Sequence, residues 1–373
     1  MSRKTGPLAG IKVIEIDAIG PVPLAGMLLA DMGADIVRVA RPPTAGLGAW
    51  DDVGGDILHR GRSVTYRNLK DSSDRETLLE LIRQADALIE GFRPGVMERL
   101  SLGPEACLAL NPRLVYGRMT GWGQSGPMAL RAGHDINYLS LTGALHAMGS
   151  AASPPPVPLN LIGDYGGGAM FLVSGLLAAI LSARSTGQGQ VVDVSSADTV
   201  PLWMSLFYAW LPKGQWHDVP SSNLLDGAAP FYRCYRCSDG RDVAVGCLEP
   251  QFFAEAVKGL GLHDRRYVQN DRQGWPAMAA DFAATFASRT RDEWAAIFAE
   301  TDACITPVLS MSEAPSHPHN IARCVFVQRD GITQPAPAPK MSVTPPTTCE
   351  PEILTPPLAL SRWQTLPVAT ASN

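Results

Sequence analysis

Short apolar runs alternate with amphipathic segments along the first part of the chain. Strand-like runs lie at residues 11–16, 35–39, 63–67 and 87–90, and helix-like segments at 23–32 and 74–85. Strands and helices that alternate at this spacing are typical of parallel strands joined by helical crossovers. The sequence therefore predicts an α/β fold built on a doubly wound, Rossmann-like sheet.

The pattern changes in the second half of the chain. Regular periodicity weakens over 211–227, and a new unit begins near residue 228 with a strand at 242–246 and helices at 251–260 and 275–286. After Asp330 the chain becomes proline-rich, with eight prolines between Pro335 and Pro357. Proline favours extended backbone over helix, so this segment is either disordered or laid along a folded surface.

Composition narrows the classes of function. A net charge of −5 and a pI near 5.8 argue against nucleic-acid binding. The longest apolar run, residues 170–181, is shorter than the ~20 residues that a spanning helix needs, so we expect no membrane partner. Seven scattered cysteines and a polar start at Met1 predict reduced thiols in a cytoplasmic protein without a secretory signal.

Two familiar ligand motifs are missing. Cys234 and Cys237 have C-x-x-C spacing, but no second pair completes a zinc site, so no metal is expected. The turn at 20–26 carries two prolines and departs from G-x-G-x-x-G, which argues against a nicotinamide cofactor.

A basic stretch lies at residues 57–70, which contain Arg60, Arg62, Arg67 and Lys70 without an acidic residue. This stretch is either a solvated strand edge or part of a pocket for an anion.

Two glycine-flanked segments carry candidate chemistry. His134 lies in Gly-His-Asp-Ile-Asn-Tyr at 133–138, and Asp164 lies in Gly-Asp-Tyr-Gly-Gly-Gly at 163–168. A histidine and a carboxylate can share a proton, while glycines let a substrate approach the main chain, which suits proton transfer at an acidic C–H bond. The alternatives are that Asp164 only caps its helix and that His134 is an ordinary core histidine. If Asp164 begins a helix, the helix dipole should favour its ionised form.

Several ordered motifs resemble the class III coenzyme A transferase superfamily, over residues 6 to beyond 340. They lie at 7–15, 29–35, 90–95 and 119–127. Within that superfamily, the segments at 133–138 and 248–252 resemble the α-methylacyl-CoA racemases. The resemblance implies a discontinuous large CoA-binding domain (1–200 and 330–373), a linker (201–227) and a smaller α+β domain (228–320). It also implies an interlocked homodimer, with the proline-rich tail returning to the large domain.

The resemblance also assigns a reaction and its residues. It implies inversion at the carbon beside a thioester carbonyl of a 2-methyl-branched acyl-CoA, through an enolate. His134 and Asp164 would serve one face of that carbon and Glu249, from the partner chain, the other, while the N–H of Asp135 would bind the enolate oxygen. Coenzyme A is part of the substrate, so no separate cofactor is expected. Its candidate ligands are Arg41, Lys70, Gly91, Phe92, Arg93 and Arg99.

Two other functions stay open on the sequence. In a class III CoA transferase, Asp164 would act as a nucleophile and form a mixed anhydride. A non-catalytic CoA-ester binding protein would make no use of His134, Asp164 and Glu249. The racemase reading is favoured because a transferase needs no second proton-transferring face. Asn68 and Gly61 depart from the residues common in relatives. Both lie beside the expected nucleotide site, so the contacts to the ribose and phosphates of coenzyme A are expected to differ there.

Overall fold

The computed structural model describes residues 5–42, 54–150, 152–348 and 352–363. The strands of the described residues are β1 Lys12–Ile16, β2 Asp35–Ala40, β3 Ser63–Tyr66, β4 Ala87–Glu90, β5 Val115–Thr120, β6 Gln190–Ser195, β7 Tyr232–Arg236, β8 Asp242–Gly246, β9 Ile305–Pro307, β10 Phe326–Arg329, β11 Ile332–Pro335 and β12 Glu352–Ile353.

The α-helices of the same residues are α1 Pro21–Asp31, α2 Gly55–His59, α3 Ser72–Ile82, α4 Val96–Arg99, α5 Pro104–Leu110, α6 Asp135–Ser140, α7 Ala144–Ala147, α8 Met170–Thr186, α9 Ser196–Trp203, α10 Ser205–Trp210, α11 Pro250–Gly259, α12 Trp275–Phe286, α13 Arg291–Phe298, α14 Pro318–Ala322 and α15 Pro356–Ser361. A π-helical segment, Leu161–Ala169, precedes α8. Short 3₁₀ turns lie at Leu211–Lys213, His263–Arg265 and Ala314–Ser316.

A parallel sheet forms the centre of the larger unit. Within the described residues it has seven strands in the order β12-β3-β2-β1-β4-β5-β6, and each neighbouring pair is parallel. The direction of the strand order reverses between β1 and β4, as in Rossmann-type sheets. This architecture confirms the predicted α/β class. Ligands of such sheets bind beyond the carboxyl ends of the strands at that reversal.

Apolar side chains cover both faces of this sheet. Val13 of β1 packs in one cluster with Leu29 of α1 and Leu176 of α8. The next residue, Ile14, packs in a second cluster with Leu81 of α3. Successive residues of a strand point to opposite faces, so two neighbours on β1 belong to two different cores. This two-sided burial explains why the strand is a continuous apolar run.

The basic stretch at 57–70 is neither a solvated edge nor an anion pocket over most of its length. Arg60 and Arg62 are each only 2% exposed. Arg60 donates to both carboxylate oxygens of Asp31, at 3.0 and 2.6 Å, and Arg62 contacts Glu15 at 2.6 Å. Both predictions were wrong because the acidic partners come from β1 and α1, which are distant in sequence.

The proline-rich segment returns to the larger unit. Arg60 donates to the side chain of Gln334 and to the carbonyl of Pro335, and the N–H of Thr347 donates to Asp31. Farther on, β12 pairs with β3 at the sheet edge. The described part of this segment therefore lies along a folded surface. Its helix α15 departs from the expected extended form, because its two prolines occupy the first turn, where no helical N–H is needed. Residues 364–373 of the expected return lie outside the described residues.

A second compact unit contains residues 143–157 and 204–326. Its antiparallel sheet has the order β7-β8-β9, and its core is rich in aromatic side chains from β7, α11, α12 and α13. Residues 143–157 cluster with this unit, although we expected all of 1–200 in the large domain. The expected linker at 201–227 contains α10 and the 3₁₀ turn at Leu211–Lys213.

The π-helical segment and α8 form one continuous helix of 26 residues, Leu161–Thr186. By length and composition alone it could cross a membrane, whereas the sequence had indicated an apolar run of only twelve. The sequence missed this length because Asp164 and three glycines break the apolar pattern. Half of its most apolar window is buried inside the fold, and Leu172 and Leu176 are fully buried against the sheet. That burial is typical of a core helix.

Candidate active site

A cleft of about 300 Å³ opens beyond the carboxyl ends of β1, β4 and β5. Loop residues after β1 and β4, including Gly20, Gly91 and Arg93, form one side of it. His134 and Asp164 lie on its wall. The cleft therefore occupies the reversal of strand order between β1 and β4, where the fold class places ligands. Two of the proposed proton-handling residues meet there, although thirty positions separate them in sequence.

Asp164 lies in the first turn of the π-helical segment and does not cap it. The N-cap position is Asn160, whose side chain hydrogen-bonds the carboxylate of Asp164. The carboxylate that satisfies the first-turn N–H groups belongs to Asp135, which accepts from the N–H of Asp164 at 2.7 Å and from that of Gly163. The capping alternative for Asp164 is therefore wrong. Asp135 fills that role from another helix.

The pKa of Asp164 shifts in the direction opposite to the one expected from the helix dipole. Burial, followed by the nearby charge of Asp135, raises its pKa to about 6, although His134 and the hydrogen bond from Asn160 act in the opposite direction. The helix dipole was expected to favour the ionised form. Burial and a second carboxylate outweigh that effect. Asp164 is therefore able to gain and lose a proton close to neutral pH.

His134 is held by the start of α6. It is the N-cap residue of that helix, and its N–H donates to the side chain of Asn137 at 3.1 Å. Its ring is exposed to the cleft, so the alternative of a core histidine is wrong. Asp135 follows as the first residue of α6, and its N–H belongs to the first turn, where helical geometry leaves N–H groups without a partner. Its carboxyl pKa is raised, chiefly by burial.

Tyr138 packs into the same region and links two glycine motifs. Its hydroxyl donates to the carbonyl of Gly133, and its ring contacts Trp122 edge-on with centroids 4.8 Å apart. A Cβ atom on Gly121 would lie 1.9 Å from the Tyr138 ring, and one on Gly133 would lie 2.8 Å from it. These two positions need glycine because the tyrosine ring occupies the space. Burial, followed by the charge of Asp164, raises the pKa of Tyr138 to about 12.

A buried carboxylate shapes the loop after β4. Glu90 is fully buried, accepts the N–H of Phe92 at 2.6 Å and pairs with Arg118 at 3.1 Å. Burial raises its pKa to about 7. A Cβ on Gly91 would lie 3.0 Å from Val22, so the loop runs close to the start of α1. This arrangement holds Gly91, Phe92 and Arg93 along the cleft.

The remaining predicted residues lie elsewhere. Arg41, Lys70 and Arg99 are exposed and lie outside the residues that line the cleft, among those the structure describes. The N–H of Lys70 donates to the side chain of Asn68 at 3.2 Å, so the departure at Asn68 orients this turn. Glu249 belongs to the second unit, exposed at the N-cap of α11 and followed by Pro250.

Sequence reasoning assigned no role to Glu90, Trp122, Tyr138 or Ser196, all of which contribute to the cleft or its loops. The signal for Tyr138 was the pair of glycines at 121 and 133, since glycines that are needed for space imply a bulky neighbour. No comparable signal marked Glu90, whose burial depends on the strand order. Among the described residues, no group of three or more His, Cys, Asp or Glu is suited to a metal ion.

Comparison with known proteins identifies the class of protein to which this fold and cleft belong. A model of CoA-transferase family III matches residues 8–355, and the chain therefore belongs to that family. A CAIB/BAIF family protein from Brucella suis has the same fold, with a TM-score of 0.79 at 24% identity over 94% of this chain and 97% of that one.

Two curated relatives are more similar in sequence than the Brucella suis protein is. The protein named "Alpha-methylacyl-CoA racemase" of Mus musculus is 43% identical over 341 residues, covering 91% of this chain and 87% of its own length. The protein of that name in Homo sapiens is 42% identical over 340 residues, with the same coverage.

Proposed function

We propose that this chain is an acyl-CoA racemase that interconverts the (2R)- and (2S)-forms of 2-methylacyl-CoA thioesters. The observation that carries the proposal is the meeting of His134 and Asp164 in one cleft, with the pKa of Asp164 raised to about 6. A group with that pKa is available in both protonation states near neutral pH, as reversible proton transfer requires. The names of the mouse and human relatives support the same reaction.

The proposed reaction moves one proton off and another onto the same carbon. The His134–Asp164 pair removes the α-proton of one enantiomer, and the electrons of the broken C–H bond shift to the thioester oxygen. The N–H of Asp135 donates a hydrogen bond to that enolate oxygen, an interaction whose loss typically costs ~10²–10³ in rate. Glu249 then gives a proton to the opposite face, and each group reverses its role for the other enantiomer.

The CoA portion requires positive charge and main-chain amides along its path. Arg93 supplies a cation at the cleft, in a loop that is fixed by the hydrogen bond from the N–H of Phe92 to Glu90. Arg41, Lys70 and Arg99 are exposed cations suited to the outer phosphates. Coenzyme A enters and leaves with the acyl group, so the proposal needs no separate cofactor.

We also propose that two copies of the chain assemble, with Glu249 supplied by the second copy. Support comes from large apolar side chains exposed in the single chain at the end of α9 and in α10. Leu202 is 58% exposed, Trp203 54%, Leu206 47% and Tyr208 55%. Large apolar side chains that stay exposed at neighbouring positions of a helix are typical of an interaction surface. The interlocked arrangement and the cytoplasmic location stay predictions.

Solvent deuterium exchange tests the reaction directly. In D₂O, each enantiomer of a 2-methylacyl-CoA ester should gain deuterium at the α-carbon and invert, with no second acid present. If no label enters but the CoA group passes to an added carboxylic acid, the chain is a CoA transferase that uses Asp164 as its nucleophile. If the thioester binds but neither label exchange nor CoA transfer occurs, the chain is a binding protein.

A further inference from the structure

Two polar side chains on the cleft wall have no hydrogen-bond partner within the described part of the chain. Ser196 is fully buried, and its Oγ finds no partner among the described residues. The Nε1 of Trp122 is likewise buried and unpaired within the described part of the chain. Both residues line the cleft that holds His134 and Asp164. Neither has a role in the proton transfers proposed above.

An unpaired buried donor is costly to the folded protein, because it has lost water and gained nothing in exchange. Such groups are rare, and one explanation is that a ligand completes the bond. Two of them on one cleft wall point to a ligand with oxygen acceptors. An indole N–H can only donate, while a serine hydroxyl can donate or accept, so a carbonyl oxygen suits both.

The two groups are fixed by the ends of neighbouring strands. Trp122 follows β5, and Ser196 follows β6 as the first residue of α9. The adjacent Ser195 donates to the carbonyl of Gly121 at 3.2 Å, which ties the two strand ends together. The indole nitrogen lies against Gly133, where an added Cβ would come within 2.9 Å of it. One donor therefore stands beside the residue that precedes His134.

We propose that Trp122 Nε1 and Ser196 Oγ are positioning groups that hydrogen-bond carbonyl oxygens of the bound CoA ester. This inference rests on the proposed function for the identity of the ligand. The carbonyl oxygens are either those of the pantetheine amides or that of the thioester. The two donors hold the ester in register with His134 and Asp164, and they take no part in the proton transfers.

The test compares variants that remove one polar group each. Ser196→Ala and Trp122→Phe delete the unpaired groups, while Ser195→Ala and Trp294→Phe delete groups that are bonded within the fold, to Gly121 and to Phe286. Thermal unfolding of the ligand-free protein is measured first. Ser195→Ala should lower Tm by roughly 2 °C, whereas Ser196→Ala should leave it unchanged or raise it, since no bond is lost. Both tryptophan variants also lose ring packing, so Trp122→Phe should lower Tm less than Trp294→Phe, which loses a hydrogen bond as well.

Calorimetric titration with free coenzyme A and with acetyl-CoA then measures binding. Each of the two site variants should bind about three- to tenfold more weakly than the wild type, the equivalent of one lost hydrogen bond. Weakening with both ligands identifies the pantetheine amides as the acceptors, and weakening with acetyl-CoA alone identifies the thioester oxygen. Unchanged binding of both ligands overturns the proposal. So does a Tm that falls in Ser196→Ala as far as in Ser195→Ala, because the hydroxyl is then bonded within the fold.

These measurements are independent of turnover. If the wild type binds acetyl-CoA and the variants weaken that binding, the inference holds even when no label exchanges into a 2-methylacyl ester. If label exchanges and inverts while the variants bind normally, the racemase proposal holds and this inference fails.

Discussion

The carboxylate of Asp135 accepts a hydrogen bond from the main-chain N–H of Asp164 at 2.7 Å. This contact joins the start of α6 to the π-helical segment, and so places two distant motifs side by side. It also explains Gly163, where a Cβ would lie 2.8 Å from the same carboxylate oxygen. The two carboxyl groups are close enough for the charge of Asp135 to raise the pKa of Asp164.

Replacing Asp135 by Asn should therefore shift the pH dependence of the reaction. The amide keeps an oxygen that accepts the N–H of Asp164 but removes the negative charge, so the pKa of Asp164 should fall below its present value of about 6. For the enantiomer whose proton the His134–Asp164 pair removes, kcat/KM falls as Asp164 becomes protonated. The acid limb of that profile should lie near pH 6 in the wild type and at lower pH in Asp135→Asn.

A matched control removes a carboxylate that does not influence Asp164. Asp198 is exposed on α9 and is not among the charges that shift the pKa of Asp164. Asp198→Asn should keep the wild-type profile. An acid limb at the same pH in Asp135→Asn and in the wild type would contradict the assignment of that limb to Asp164.

The sheet could be predicted because its strands are marked locally. The predicted bounds of β4, β8 and α12 match those of the structure, since each is a clear apolar or amphipathic run between polar residues. The candidate pair His134 and Asp164 could also be found, because glycines flank both. Both residues lie on the wall of one cleft, and their catalytic role stays a prediction.

The electrostatic environment of the charged residues could not be predicted, because it depends on contacts between residues that are distant in sequence. Arg60 appeared available to a ligand because Asp31, which neutralises it, lies on another element. The raised pKa of Asp164 could not be expected from the sequence, because its burial and the nearby charge of Asp135 cannot be inferred from its neighbours in the chain. Both errors concern charge, whose behaviour depends on burial and on partners brought together only by the fold.

Replacing Glu249 by Gln should separate proton exchange from inversion. The amide keeps the size of the side chain but cannot transfer a proton, and loss of a general acid or base typically costs ~10²–10⁴ in rate. One enantiomer should still gain deuterium through the His134–Asp164 pair, with its configuration retained. The other enantiomer should neither exchange nor invert.

Proton NMR of the α-position measures deuterium exchange, and chiral separation of the acyl groups measures inversion. Asp164→Asn is the mirror experiment and should leave exchange only in the opposite enantiomer. Inversion of either enantiomer by Glu249→Gln at the wild-type rate would remove Glu249 from the mechanism.

Replacing Gly26 by Ala should destabilise the larger unit. A Cβ there would lie 2.0 Å from a carboxylate oxygen of Glu15 and 2.5 Å from Nη1 of Arg62. These two groups form a buried ion pair. The new methyl group must separate the two charges, and water cannot solvate them at this buried position. We expect the free energy of unfolding to fall by about 2–4 kcal/mol.

Urea unfolding of the two proteins measures that loss. Gly246→Ala is the matched control, because a Cβ at Gly246 would meet nothing within 4 Å. It should change the free energy of unfolding by less than about 0.5 kcal/mol. If Gly26→Ala is as stable as this control, the ion pair has room to move and is not tightly packed against α1.

The last prediction concerns which chain supplies Glu249. An Asp164→Asn chain and a Glu249→Gln chain should each form a homodimer that does not invert the substrate. A mixed dimer, in which every site combines one copy's cleft with the other copy's Glu249, contains one site with both residues intact and one with neither. Random pairing after joint expression makes about half of the dimers mixed, so roughly a quarter of the wild-type inversion rate should return.

A site built from one chain alone predicts a different inversion rate for the mixed dimer. If each chain supplies its own Glu249, every site in a mixed dimer carries one lesion, and joint expression restores no inversion. Two differently tagged copies, purified in sequence through both tags, isolate the mixed dimer, whose rate should be about half that of the wild type. A control pair of wild-type chains with the same two tags fixes the full rate, and a doubly substituted chain paired with a wild-type chain should be inactive, because each of its sites lacks one residue.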